Sequence, residues 1–327
     1  MPSTAPRTKS TMKAVRIHHY GGPDALRYED APRPEAAGGD VLVRVHAAGV
    51  NPVDWKVREG YLQQTIPYAL PMIPGWDLSG TVERLGPGVG EFAVGDEVYA
   101  RADIARNGAY AEYIVVRAKE LARKPRSIDH IHAAAVPLAA LTAWQALVEA
   151  PAPSSSIGLA QGQTVLIHGA AGGVGTFAVQ LAKWRGAKVI ATGSARNESF
   201  LRELGADDFV DYTKQRFEDV VYDVDAVLDT VGLDTQLRSW RVLKPGGVLA
   251  SLISPPSEAA AKAHGARAVF VDVQTVVAQL DEIARLIDGK LLRPILADVL
   301  PLAQARKAHE LSQAGHVRGK IVLTVAA

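Results

Sequence analysis

The chain contains no cysteine. Disulfides, a thiol nucleophile and thiolate-bound zinc are thereby excluded. Net charge is nearly absent as well: 36 Lys and Arg stand against 35 Asp and Glu, a formal +1. No electrostatic footprint points to nucleic acid or to an anionic membrane, so neither is expected as a partner. No apolar run approaches the roughly 18 residues that span a bilayer. Met1 to Met12 are polar and lack the apolar segment of a signal peptide, which predicts a loose tail and a cytoplasmic location. Neither a Ser/His/Asp order nor a paired-carboxylate signature stands out. His18-His19 and His130/His132 are the close histidine pairs, and neither has Cys or carboxylate at ligand spacing, so they read as surface or packing residues.

What is present is a glycine turn. Val165-Leu166-Ile167-His168 reads as a buried strand, and Gly169-Ala170-Ala171-Gly172-Gly173-Val174-Gly175 follows at once. A helical pattern comes next, with Val174, Phe177, Ala178, Leu181 and Ala182 on one face. A strand that turns through glycines into a helix presents bare N–H groups and a favourable dipole to a phosphate. Ala171, Gly172, Gly173 and Val174 are the expected contacts, and Gly175 allows close helix–strand packing. The first glycine of G-x-G-x-x-G is replaced by Ala170, with Gly169 beside it. The strand before, the helix after and a second strand from Lys188 to Thr192 supply the context that a dinucleotide site needs.

With 327 residues, 48% of them apolar and 22% charged, the chain reads as a globular protein of two domains. Up to about Arg126 the pattern is β-rich, with strands at Lys13–His18, Val41–Val45, Gly80–Leu85, a turn entering a strand at Val94–Tyr99, and Tyr110–Val116. Short strands with Gly/Pro turns suggest a small barrel. A helix is expected over Ala133–Glu149 and an exposed Ala/Pro/Ser-rich loop over Ala150–Gly162. Strands at Val165–His168, Lys188–Thr192, Asp208–Val210, Ala226–Asp229 and Val248–Leu252 then alternate with helices near 173–185, 197–204 and 234–243, and Val269–Val273 could add a sixth strand. Such a series predicts a parallel sheet covered on both faces. A helix (Thr275–Asp288), a strand (Leu296–Leu300), a helix (Leu302–Ser312) and a last strand (Lys320–Val325) close the chain, and the last strand is expected to return to the first domain.

Cofactor choice follows from the stretch Ala191-Thr192-Gly193-Ser194-Ala195-Arg196-Asn197, where a carboxylate for a ribose 2′-OH is missing until Glu198. Gly193 leaves space, and Ser194, Arg196 and Asn197 can donate to a 2′-phosphate, which favours NADP(H). Beyond the later strands, Thr230, Val231, Ile253, Phe270 and Val271 are expected to meet the nicotinamide half, while Asp229 could be a strand-end cap.

Several ordered motifs carry a family resemblance. They are Gly49-Val50-Asn51-Pro52-Val53-Asp54, Arg58-Glu59-Gly60, Pro74-Gly75-Trp76-Asp77-Leu78-Ser79-Gly80, Val94-Gly95-Asp96-Glu97-Val98, the glycine turn, and Gly315-His316-Val317-Arg318-Gly319-Lys320. With them the chain resembles the medium-chain dehydrogenase/reductase superfamily, nearest its zinc-independent NADPH:quinone oxidoreductase branch. The resemblance implies an α/β fold: a doubly wound parallel Rossmann sheet plus a GroES-like β-rich catalytic domain. The expected division is 1–130, 131–272 and a C-terminal segment, 273–327, that returns to the catalytic domain. Zinc-dependent relatives have a cysteine where Asn51 stands and Gly-His-Glu where Gly75-Trp76-Asp77 stands, so no zinc is expected.

By resemblance, Asn51 lines the hydride-transfer position with Asp54 and Thr142 nearby, and Tyr212 lies near the 2′-phosphate. Lys56 stands where such reductases often have a tyrosine; it could polarise a carbonyl or give a proton, or be solvated. Arg58 and Asp54 could form a structural ion pair. The implied reaction is hydride transfer from NADPH to a quinone or α,β-unsaturated carbonyl, in a homodimer. Zinc-free alcohol oxidation is the neighbouring possibility. A structural or RNA-binding relative with little turnover is the other, and the missing basic patch argues against the RNA role.

Overall fold

The structure, a computed structural model, describes residues 10–150, 152 and 155–325. Residues 1–9 of the expected tail lie outside that range. Thr11 and Met12 do not belong to a tail, because they open strand β1 (Thr11–Ile17) and Met12 is buried. Period-two alternation carries Met12 and Ala14 to the inner face. β1 pairs antiparallel with β2 (Leu26–Pro32).

β3 (Asp40–Val50) is the long central strand of the barrel, buried along most of its length. It runs into helix α1 (Pro52–Arg58), where Pro52 occupies the first turn and needs no N–H partner. β4 (Asp77–Leu85), β5 (Glu97–Arg101), β6 (Tyr113–Arg117) and β7 (Ala122–Arg123) complete the N-terminal strands. The helix expected over Ala133–Glu149 is two helices, α2 (His130–Ala134) and α3 (Pro137–Leu147). Pro137 has no N–H to continue the ladder, so a new helix starts there.

The alternating part follows: β8 (Thr164–Ile167), α4 (Gly173–Trp184), β9 (Lys188–Gly193), α5 (Glu198–Leu204), β10 (Asp208–Asp211), β11 (Val224–Asp229), α6 (Leu233–Ser239), β12 (Leu243–Ser251), α7 (Glu258–Ala263) and β13 (Arg267–Phe270). These strands form one parallel sheet in the order β10-β9-β8-β11-β12-β13. Strand order reverses between β8 and β11, which opens a crevice at their carboxyl ends. The expected exposed loop before β8 is partly packed. Ile157 and Leu159 are buried, and their N–H groups donate to Ala146 O and Leu147 O, both at 2.7 Å. They satisfy carbonyls that the end of α3 leaves free.

The chain closes with α8 (Val277–Asp288), β14 (Leu296–Pro301), α9 (Ala305–Ala314) and β15 (Lys320–Thr324). β15 pairs antiparallel with β3, so the last strand does return to the N-terminal sheet, whose order is β14-β15-β3-β4-β5-β7 with β6 also on β3. Among the described residues, no helix is long and apolar enough to cross a membrane.

His168, just past β8, is enclosed between Thr192 Oγ1 (3.2 Å) and Ser239 Oγ (3.1 Å), with the Phe217 ring edge-on at 4.5 Å. Burial pushes its pKa from 6.5 down to about 4, so it is neutral in the fold at neutral pH. The unfolded chain binds the extra proton first, and stability falls as pH drops from 6.5 through about 4. The loss is on the order of 3 kcal/mol. His168→Gln should remove that share of the acid slope. Urea unfolding of both proteins at pH 7 and pH 4.5 checks this, and an identical slope would contradict it.

Candidate active site

A cleft of about 1640 Å³ lies between the two sheets and takes its walls from both. One wall is the glycine turn. α4 begins at Gly173 without a side-chain cap, so its first N–H groups have no side-chain acceptor. A Cβ on Gly175 would stand 2.4 Å from Gly169 O and 2.6 Å from Ala170 Cα, so only glycine lets the helix seat against the strand. At Gly173 a Cβ would fall 3.0 Å from Lys320 Cδ. The Gly172 N–H is spent on Gly169 O at 2.9 Å, and the helix end with its remaining first-turn N–H groups fits a dinucleotide pyrophosphate.

The opposite wall is the β3–α1 corner. The Asn51 N–H and the Tyr110 hydroxyl both donate to Asp54 Oδ2 at 2.8 Å. Asp54 Oδ1 is buried without a hydrogen-bond partner among the described residues. Burial lifts the Asp54 pKa to about 7, against those two hydrogen bonds, so this carboxyl exchanges its proton near neutrality. The expected Arg58–Asp54 ion pair is not formed. Arg58 is fully buried and donates instead to Gly21 O (3.0 Å), Glu59 Oε1 (2.6 Å) and Gln313 Oε1 (3.0 Å), which ties α1 to α9.

Lys320 was marked in the sequence only as the end of a motif. It is fully enclosed in the cleft wall. Its Nζ donates to Val50 O at 2.9 Å and to Asn51 Oδ1, and lies 3.7 Å from Asp77 Oδ2. Asn51 Nδ2 donates to the same Asp77 oxygen at 2.9 Å, while the Leu138 N–H, in the first turn of α3, donates to Asp77 Oδ1 at 2.9 Å. Burial pulls the Lys320 pKa down and pushes the Asp77 pKa up, and each charge opposes the other's shift. Next to Lys320, the Gly319 N–H donates to Ala171 O at 2.9 Å, so the C-terminal segment is stitched to the glycine turn.

The cleft brings together Asn51, Asp54, Lys56, Thr142, Ala171, Gly172, Gly173, Val174, Gly193, Tyr212, Thr230, Val231, Ile253 and Val271. Ser194, Arg196, Asn197 and Phe270, grouped with them from the sequence, are not among its lining residues. Arg196 donates to His316 O (3.1 Å), and Asn197 Oδ1 accepts from Arg318 Nε (2.9 Å), so both are turned to the C-terminal segment. Asn197 Nδ2 in turn holds Ser194 Oγ at 3.4 Å. Phe270 lies on edge strand β13, 43% exposed. Asp229 is the strand-end cap: its Oδ1 accepts from the N–H groups of Val231 (2.9 Å) and Gly232 (2.8 Å). The sequence reading missed Arg101, Lys214 and Arg216, all lining the cleft. For the last two the signal was adjacency, since they follow Tyr212 by two and four residues.

A nucleotide crevice at a switch point, closed by a barrel that returns through the chain's last strand, defines a two-domain nicotinamide-dependent oxidoreductase. Sequence models agree. Residues 37–126 match the alcohol dehydrogenase GroES-like domain and residues 204–323 the zinc-binding dehydrogenase model. The chain is 34% identical to the mitochondrial NAD(P)H oxidoreductase RTN4IP1 of Danio rerio, over 97% of this chain and 92% of that protein. It is 35% identical to the chloroplastic NADPH-dependent alkenal/one oxidoreductase of Arabidopsis thaliana, over 95% and 79% respectively. The solved quinone oxidoreductase of Coxiella burnetii superposes with a TM-score of 0.90 at 35% identity, covering 97% of this chain and all of that one. The chain belongs to the medium-chain dehydrogenase/reductase superfamily, in its zinc-independent quinone oxidoreductase-like branch.

The Lys320–Asp77 pair predicts a non-additive mutant cycle. Lys320→Met leaves Asp77 buried beside Asn51 without its cation and should cost about 3–5 kcal/mol. Adding Asp77→Asn should return a large part of that loss. Denaturant unfolding of the two single variants and the double variant measures it; simple additivity would show that the two charges act independently.

Proposed function

We propose that this chain is an NADPH-dependent reductase acting on a quinone or an α,β-unsaturated carbonyl, without zinc. The observation that carries the reading is one continuous cleft that joins the glycine turn to Asn51, Asp54, Lys56 and Thr142. The bound cofactor would supply the hydride, which is its chemistry and not the protein's.

The chain's own residues would do the rest. The turn Ala171–Val174 would bind the pyrophosphate through the N–H groups not already used within it, the Gly172 N–H being held by Gly169 O at 2.9 Å. The Thr142 hydroxyl donates to Leu138 O at 2.6 Å, which leaves its oxygen as an acceptor at the cleft wall. Asp54 can hold or release a proton near pH 7. Lys56, whose ammonium lies 5.8 Å from the Trp55 ring centroid, has no carboxylate within salt-bridge distance among the described residues and can polarise the acceptor oxygen. Leu252, Ile253, Val271 and Val273 line the cleft with apolar surface and keep water from the reacting atoms. Asn51 and Asp77 spend polar atoms on each other and on Lys320, which supports chemistry without a metal at those positions.

The NADP(H) preference rests on the small Gly193 at the end of β9 and on Tyr212 and Lys214 after β10; the carboxylate beside Gly193, that of Asp211, is buried, and its Oδ1 accepts from the Thr213 N–H at 3.0 Å. Arg196 is engaged with His316. Arg216 is claimed by Glu218 at 2.5 Å, whereas the nearest carboxylate to Lys214, on Asp211, is 3.8 Å away. Lys214, paired only at 3.8 Å with Asp211, is the more loosely held of the two and is the cation proposed to meet a 2′-phosphate. A homodimer, expected from the resemblance, belongs to the same proposal and is checked by sedimentation.

NADPH oxidation with 9,10-phenanthrenequinone and with trans-3-nonen-2-one tests the reading. Lys214→Ala should raise KM for NADPH on the order of 10-fold, the low end for a bond to charge because the side chain is exposed, and should spare NADH. Arg196→Ala should change either cofactor by no more than about 3-fold, as expected for a surface contact. A parent enzyme that prefers NADH, or no reduction of either acceptor, would overturn the proposal.

A further inference from the structure

Arg101 is a cation with no carboxylate partner among the described residues. It ends β5, directly opposite Asp77 in the β4–β5 ladder, so the two side chains stand on the same face of the sheet. Both line the cleft. Yet they form no ion pair, because the Asp77 oxygens are occupied by the Leu138 N–H, Asn51 and Lys320. The other carboxylates around Arg101 are engaged as well. Asp103 and Glu120 bind Arg117 at 2.8 and 2.9 Å, and Asp272 accepts from Gln274 Nε2 at 3.1 Å.

Arg101 has one side-chain partner among the described residues. Its Nη1 donates to Thr275 Oγ1 at 2.9 Å, and that hydroxyl donates back to Arg101 O at 3.1 Å. The reciprocal bonds pin the guanidinium between the barrel and the segment entering α8. An arginine carries five N–H donors and cannot shed its charge in a protein. Most of that fork is thus unspent among the described residues. Burial works against its charge, and the nearby acids compensate only at a distance. Around it the cleft offers Ala102, Ile104 and Val273, and the second cation without a carboxylate partner, Lys56, lines the same cleft.

We propose that Arg101 is a specificity-determining residue that receives a carboxylate on the acceptor, so that the preferred substrate is a conjugated carbonyl compound bearing an acid group. The inference rests on the reductase reading above and narrows its substrate class. A planar fork held at one end by Thr275 suits two-point capture of a carboxylate. The neighbouring apolar surface would hold the carbon skeleton, and the hydride step itself is unaltered in its atoms and electrons.

The test uses trans-4-oxopent-2-enoate and its methyl ester, which differ at the charged group. With NADPH, the parent should reduce the acid with the higher kcat/KM. In Arg101→Gln the acid-to-ester ratio should fall by about 10- to 100-fold, the range for a hydrogen bond to a charged group. Arg101→Lys, which keeps the charge but loses the fork, should fall in between. A binding measurement stands beside the kinetics: quenching of tryptophan fluorescence by the acid in the NADP⁺-saturated protein should weaken by a similar factor in Arg101→Gln. Equal loss for acid and ester, or a parent indifferent to the charge, would overturn the proposal. If neither compound is reduced, the reductase reading fails on its own. The acid's affinity for the NADP⁺ complex then still decides Arg101: binding lost with the guanidinium supports the carboxylate site, and unchanged binding refutes it.

Discussion

An ammonium group kept charged where water does not reach has to be surrounded by oxygen, and at Lys320 that requirement organises the cleft. Its ligands come from Val50 and Asn51 at the end of β3 and from Asp77 at the start of β4. Asp77 in turn accepts the Leu138 N–H at the head of α3. One buried charge therefore sets the orientation of the Asn51 amide, with its oxygen toward the ammonium and its nitrogen toward the carboxylate. The glycine turn depends on the same segment, since Gly319 holds Ala171 and the Lys320 stem lies over Gly173. Neither wall of the cleft is positioned without the other.

Electrostatics then divides the cleft. Toward the barrel, Asp54 titrates near pH 7 because its carboxyl is buried with one oxygen unpartnered, while Arg101 and Lys56 have no carboxylate partner among the described residues. Toward the parallel sheet, the helix α4 terminus and Lys214 offer positive potential to phosphate. The cleft thus has two electropositive ends and an apolar middle.

Much of this was legible in the sequence, for identifiable reasons. Apolar runs flanked by glycine placed β8 and β9, and the turn between them, to within one or two residues, because buried parallel strands carry a continuous signal. β15 was found as an apolar run outside the alternating series, which pointed to its return to the N-terminal domain; that it pairs with β3 the structure alone shows. What failed was local. Pro137 split a helix that periodicity alone ran together. Met12 sat in a polar context but on the inner face of β1. That Arg196 and Asn197 bond to the C-terminal segment, more than 100 residues later, could not be read from proximity in sequence. Lys320 was missed for a related reason: a lysine in a strand reads as exposed until its partners, hundreds of residues upstream, are in place.

The pairing of β15 with β3 also has a meaning for synthesis on the ribosome. The Lys320–Val50 contact spans 270 residues of sequence. Until β15 emerges, β3 has an open flank and the barrel lacks its buried cation, while the parallel sheet, built from neighbouring units, already has its strands. Long-range closure of this kind is slow and leaves a strand edge exposed to other chains. The nucleotide-binding half can therefore mature first, and the barrel, though begun at the N-terminus, is the part of the molecule completed last.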